Sequence, residues 1–215
     1  MINLRSASAK RLATIGVLFL ALLCIVPGRA TGADIAESQA MVENTTSQVL
    51  DTLKKNEERL KNDKTELYRL VNDIIVPHFD FRSMSRLVLA KHWREASGEQ
   101  QQRFIEEFKA HMVRTYSTAM LDFASETVKF LPVRAGSDNT KALSRMEITQ
   151  PGGGPPVKMD LRMVQRDDAW MVYDISIDGV SLVTNYRQSF SDEVFKNGID
   201  SLIDKLIEKN RRRVN

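Results

Sequence analysis

The stretch Val157-Lys158-Met159-Asp160-Leu161-Arg162-Met163-Val164-Gln165-Arg166 alternates apolar and polar side chains over most of its length. A period of two belongs to a β-strand, whose successive side chains leave opposite faces. Val157, Met159, Leu161 and Met163 then share one face, and Lys158, Asp160 and Arg162 the other. Residues 170–178 repeat the pattern, with Met171, Tyr173, Ile175 and Ile177 opposed to Asp174, Ser176 and Asp178. Asp167-Asp168 is so short a link that the two strands form a hairpin. Upstream, residues 127–135 and 142–150 read as two more strands, and Gly152-Gly153-Gly154 turns the second into the third. The expectation is four antiparallel strands with one apolar and one wet face. Asp160 and Asp174 fall on the wet face, as solvated charges.

Outside the sheet the period changes to 3.6. Residues 34–62 carry a loose stripe of Val42, Val49, Leu53 and Leu60. Leu67, Leu70, Val71, Ile74 and Ile75 define a helix over 63–76, capped by Asp63 and stopped by Pro77. Asp80 opens a short helix through Leu89. Ser97-Gly98-Glu99-Gln100 is a capping-box start for a long helix to about residue 124. Phe104, Phe108, Met112, Tyr116, Ala119 and Phe123 line one face of it, fit for a core or a cavity wall. Two helices, 181–195 and 199–209, close the chain. Helices packed on the apolar face of a curved four-stranded antiparallel sheet make an α+β fold.

The first 33 residues read as a cleaved secretory signal peptide. Arg5, Lys10 and Arg11 precede a 15-residue run, Leu12 to Val26, apolar but for Thr14 and Gly16, which Pro27-Gly28 ends. That run is too short for a relaxed membrane span of about 20 residues. Small residues follow, with Ala30 and Ala33 as cleavage positions. Leu22-Leu23 before Cys24 does not suit a lipoprotein signal. The formal charge of +3 therefore belongs to the leader. Without its four basic residues, 27 basic and 28 acidic residues remain over 34–215, read as a single domain without cysteine. Nucleic-acid binding loses its electrostatic basis.

No chemistry announces itself. His78, His92 and His111 have no ligand spacing between them, so no metal site is expected. There is no phosphate loop and no nucleophile elbow. The enzymatic alternative is acid–base work by Asp160, Asp174 or Glu147 inside a hollow sheet face. A purely structural interaction module is the third class. The methionines Met146, Met159, Met163 and Met171 fall in the strands; their pliability suits either a core or a cavity that holds a variable apolar ligand.

Three stretches resemble one family. They are His78-Phe79-Asp80-Phe81-Arg82-Ser83-Met84-Ser85-Arg86-Leu87-Val88-Leu89 with Lys91-His92-Trp93-Arg94; Ser97-Gly98-Glu99-Gln100 running into Phe104, Phe108 and Thr115-Tyr116; and Trp170-Met171-Val172-Tyr173-Asp174-Ile175 with Gly179-Val180-Ser181-Leu182-Val183-Thr184-Asn185-Tyr186-Arg187. Together they resemble the MlaC (toluene-tolerance, auxiliary transport) family of periplasmic phospholipid-binding proteins. The resemblance implies a non-enzymatic carrier that shuttles phospholipid between an outer-membrane lipoprotein–porin complex and an inner-membrane ABC transporter ring, maintaining outer-membrane lipid asymmetry. It also implies a nuclear-transport-factor-two-like cone with an open hydrophobic pocket. On that basis the expected lipid wall is Val128, Phe130, Met146, Ile148, Met159, Leu161, Met163, Met171, Tyr173 and Ile175 from the strands. Val76, Phe79, Leu87, Phe104, Phe108, Tyr116 and Tyr186 would close it from the helices. No cofactor is implied. Arg82, Arg86 and Lys91 suit docking to an acidic partner, the lipid phosphate, or a plain solvated face.

Overall fold

The computed structural model describes residues 32–136, 140–149, 152–167 and 169–212. Six helices come first: α1 (Gly32–Lys55), α2 (Glu57–Asn62), α3 (Lys64–Ile74), α4 (Phe81–Leu89), α5 (His92–Glu95) and α6 (Gly98–Asp122). Strands β1 (Thr127–Ala135), β2 (Lys141–Thr149), β3 (Val157–Arg166), β4 (Ala169–Ile177) and β5 (Val180–Ser181) follow, and α7 (Leu182–Arg212) ends the chain. The leader expected over 1–33 lies almost wholly outside the described residues.

Local chemistry sets the helix ends. Ser97 Oγ accepts the Gln100 N–H at 3.2 Å while the Gln100 side chain accepts the Ser97 N–H at 2.9 Å, so both halves of the expected capping box form. Asp63 and Asp80 cap α3 and α4 through the N–H groups of Glu66 and Ser83. The single helix expected over 34–62 is two, broken at Asn56. The Asn56 side chain donates to the Thr52 carbonyl and accepts from Arg59, the local competition with backbone pairing that makes asparagine a poor interior residue.

The sheet is antiparallel in the order β1-β2-β3-β4-β5. Among the described residues it has five strands, where the alternation predicts four. Asp178 and Gly179 both have positive φ, at 48° and 84°. That is the backbone of a tight two-residue hairpin, and it turns Val180–Ser181 back onto Ile177 and Ser176. Ser181, expected as the first residue of the helix over 181–195, is thus the end of a strand. Pro132 sits in the edge strand β1 at a register shift, where its missing N–H costs no ladder bond.

A second irregularity decides the site. Arg162 pairs with Asp174 but Met163 pairs with Val172, so Tyr173 is an extra residue on β4. A bulge of this kind reverses the facing of everything beyond it. Trp170 and Val172, not Met171, therefore share the face of Met163.

Apolar residues gather in three clusters. One lies between the sheet and α1, around Val42, Met146, Leu161, Met163, Trp170 and Val172. A second joins α4, α6 and α7 around Met84, Phe104, Phe108, Phe190 and Ile203. A third joins α1, α2, α3 and α6 around Leu53, Leu60 and Leu67. Phe79 and Ile175 pack against both of the first two.

Candidate functional site

The inner sheet face follows from register. Val128 pairs with Ile148, Phe130 with Met146, Met146 with Met159, and Leu161 with Ile175, so these side chains lie together under α1. This settles the facing of β1, which is apolar on both sides in sequence: Val128 and Phe130 look inward with Val133. Gln39 of α1 accepts the Val133 N–H at 3.4 Å, tying the helix to the irregular part of β1.

The expected wall residues divide into two groups. Val128, Phe130, Met146, Ile148, Met159, Leu161 and Met163 belong to the sheet cluster. Leu87, Phe104, Phe108, Tyr116, Tyr173 and Tyr186 belong to the helix cluster. Phe79 and Ile175 join the two. Val76 is half-buried in the turn after α3 and belongs to neither.

Two corrections follow. Met171 is on the other side of the sheet, because the Tyr173 bulge reverses β4, and it lines an outer groove with Arg166 and Phe81. Phe104, Phe108 and Met163 have no exposed surface at all (0%), so they touch no cavity that water could enter. The Phe104 and Phe108 rings stack at 5.6 Å, and both meet Phe190 edge-on, which is helix–helix core. Among the residues that keep some apolar surface while facing inward are Val128, Phe130, Met159 and Ile175 on the sheet, with Leu87, Tyr116, Tyr173 and Tyr186 beside the helices.

Sequence reasoning missed Trp170 and Val172 on the inner face, and Ile35, Met41 and Val42 of α1 against it. The α1 residues carry a helical stripe that a reader can find; the parity of Trp170 and Val172 has no sequence signal. The Trp170 indole Nε1 is buried with no hydrogen-bond partner among the described residues. Ser144 is buried on the same face opposite Leu161, and beside the helices the His111 Nε2 lies 3.3 Å from the Tyr186 hydroxyl.

Asp174 departs from expectation. It is 3% exposed, not solvated. Its carboxylate accepts from Arg162 at 2.8 Å, from the Ser181 hydroxyl at 2.7 Å and from the Val183 N–H at 3.1 Å. A carboxylate so committed fastens the start of α7 to β4 and has little left with which to take a substrate proton. Among the described residues no three His, Cys, Asp or Glu side chains converge as metal ligands, and no helix is long and apolar enough to cross a membrane.

The profile of the MlaC protein family matches residues 43–208. The chain belongs to the MlaC family. It is 30% identical over 170 residues to the toluene tolerance protein ttg2D of Pseudomonas putida, covering 78% of this chain and 77% of that one. It is 23% identical over 180 residues to the intermembrane phospholipid transport system binding protein MlaC of Haemophilus influenzae, covering 82% and 84%. A phospholipid-binding protein from Ralstonia solanacearum, solved in complex with a phospholipid, superposes with a TM-score of 0.75 at 31% identity, over 83% of this chain and 99% of that one.

Proposed function

We propose that residues 34–215 form a single-domain periplasmic phospholipid carrier, released by cleavage of the leader over 1–33. It takes lipid from one membrane complex and delivers it to another, between an outer-membrane lipoprotein–porin complex and an inner-membrane ABC transporter ring. Two acyl chains of roughly fifteen CH₂ groups each would cost on the order of 20–25 kcal/mol left in water, at about 0.8 kcal/mol per CH₂. A lipid therefore crosses an aqueous gap only if a protein encloses its tails. The observation that carries the reading is the half-buried apolar set on the inner face, led by Val128, Phe130, Met159 and Ile175, in a chain so similar to a phospholipid-bound neighbour. These residues line the tail pocket, Leu87, Tyr116, Tyr173 and Tyr186 edge it, and the sheet curves around it as a cone. Met146, Ile148 and Leu161 back the wall, while Phe104, Phe108 and Met163 stiffen it from behind. The chain performs no catalysis on its cargo.

The test is direct. The leaderless protein is purified without detergent, its organic extract is examined by mass spectrometry, and its uptake of lipid from liposomes is followed. Intact phospholipid in the extract and uptake from liposomes are expected. A lipid-free extract together with no uptake overturns the reading, and recovery of hydrolysed lipid points instead to the enzyme alternative.

A further inference from the structure

On the outer side of the sheet lies an open groove of about 780 Å³. Its walls combine Phe79, Phe81, Trp93 and Met171 with Arg82 and Arg86. Met171 is there because the Tyr173 bulge sends it to this face. Arg82 and Arg86 stand one turn apart on α4, where side chains at i and i+4 are neighbours. Both are exposed, and no carboxylate pairs with either among the described residues; Arg82 rests 6.0 Å from the Trp93 ring centroid. The groove's third arginine, Arg166, is occupied by Asp80 at 3.3 Å and Ser83 at 3.4 Å. With Asp80 and Asp167 counted, the lining has three arginines against two aspartates.

The groove also lies beside the end of β4, at Ala169 and Met171. Beyond Val172 the outer side of β4 has no strand partner among the described residues, since β5 pairs only with Ser176 and Ile177. At Val172 that edge is already taken by the chain itself: Phe79 bridges Val172 in parallel, and the Val172 carbonyl accepts the Asp80 N–H at 2.9 Å.

We propose that this groove is a docking site for an extended acidic segment of a partner protein that also presents an apolar or aromatic side chain. The segment lies along α4, its carboxylates meet Arg82 and Arg86 in the bidentate geometry guanidinium favours, and its apolar side chain sits on Phe81, Trp93 and Met171. A free phosphate or a lipid headgroup would use the arginine pair but leave the apolar wall without a purpose. A flat membrane would not enter a concavity. The partner's role rests on the carrier reading; the site itself does not.

The test uses the full chain in cells of the organism that encodes it, with a photocrosslinking p-benzoylphenylalanine in place of the exposed groove residue Ala169, and at Phe195 on α7 as the control. The adduct at residue 169 should map by peptide mass spectrometry to an acidic, extended segment. It should vanish in Arg82→Glu/Arg86→Glu and return when the mapped acidic residues are changed to lysine. Phospholipid content of the same variants should match wild type, with unchanged thermal melts. No adduct from residue 169, an adduct only to lipid, or one to a segment without acidic residues overturns the docking site. Absence of lipid from every preparation overturns the carrier reading instead, so the two failures are separate.

Discussion

Single residues here hold elements together through very few bonds. Asp174 binds Arg162, Ser181 and the Val183 N–H at once. Asp174→Ala would strand the buried Val183 N–H, a loss of about 1–3 kcal/mol. At this chain length each kcal/mol lowers Tm by about 2–4 °C, so a circular-dichroism melt reads it. Lipid recovered from the variant should be as intact as from wild type. Turnover lost with stability unchanged would instead make Asp174 a catalytic group. Asp80 adds a pH dependence. Burial works against its ionised form, but the Ser83 hydroxyl, the Ser83 N–H and Arg166 outweigh that and hold its carboxyl below the usual carboxylate range. A depressed folded-state pKa stabilises the fold above the unfolded value of about 3.8, and that contribution goes as pH falls through the lower folded value. The stability difference between wild type and Asp80→Asn should therefore be constant at neutral pH and shrink below about pH 3.8 in urea titrations. A difference that stays level to the acid limit would show that the Asp80 charge is not what the fold uses.

At the scale of elements, α7 is two helices in one span. Gly198 has φ 80° and ψ 168°, in a region only glycine occupies without strain. Across this break Glu193 accepts from Lys205, Asn197 and Ser201, which together hold its carboxyl down to about 2. A Cβ at residue 198 would meet no atom within 4 Å, so backbone strain alone opposes Gly198→Ala. The expected loss is about 1–3 kcal/mol, measured by urea unfolding. An unchanged midpoint would mean that α7 can run straight through, with the kink imposed by Glu193 alone. Sequence legibility follows the same division. The helix pair around residue 198, the Ser97 capping box and the four long strands were readable because capping and period are local properties. The β5 return and the Tyr173 bulge were not, because a bulge exists only in the pairing of two strands. That single extra residue moved Met171 out of the expected lining and brought Trp170 and Val172 in.

For the whole molecule, the question is which apolar residues hold the fold and which hold a guest. Met159 and Met163 are two positions apart on one face of β3 and look equivalent in sequence. Their surroundings differ. Met163 has no exposed surface and pairs with Ala142 and Val172, whereas Met159 is half-buried between Met146 and Ile177. A fully enclosed site has no room for added volume, and overpacking it costs about 1–3 kcal/mol or more. A site with surface remaining can take a larger side chain by giving up the space a tail would fill. Met159→Trp should thus keep its Tm while phospholipid per protein, counted by mass spectrometry of organic extracts, falls well below wild type. Met163→Trp should lose stability first, with any loss of lipid following from that. The reverse pattern, Met163→Trp folded and empty with Met159→Trp unfolded, would exchange the two roles and place the tails deeper under α1. Equal loading of lipid by folded Met159→Trp and wild type would remove the inner sheet face as the seat of the tails.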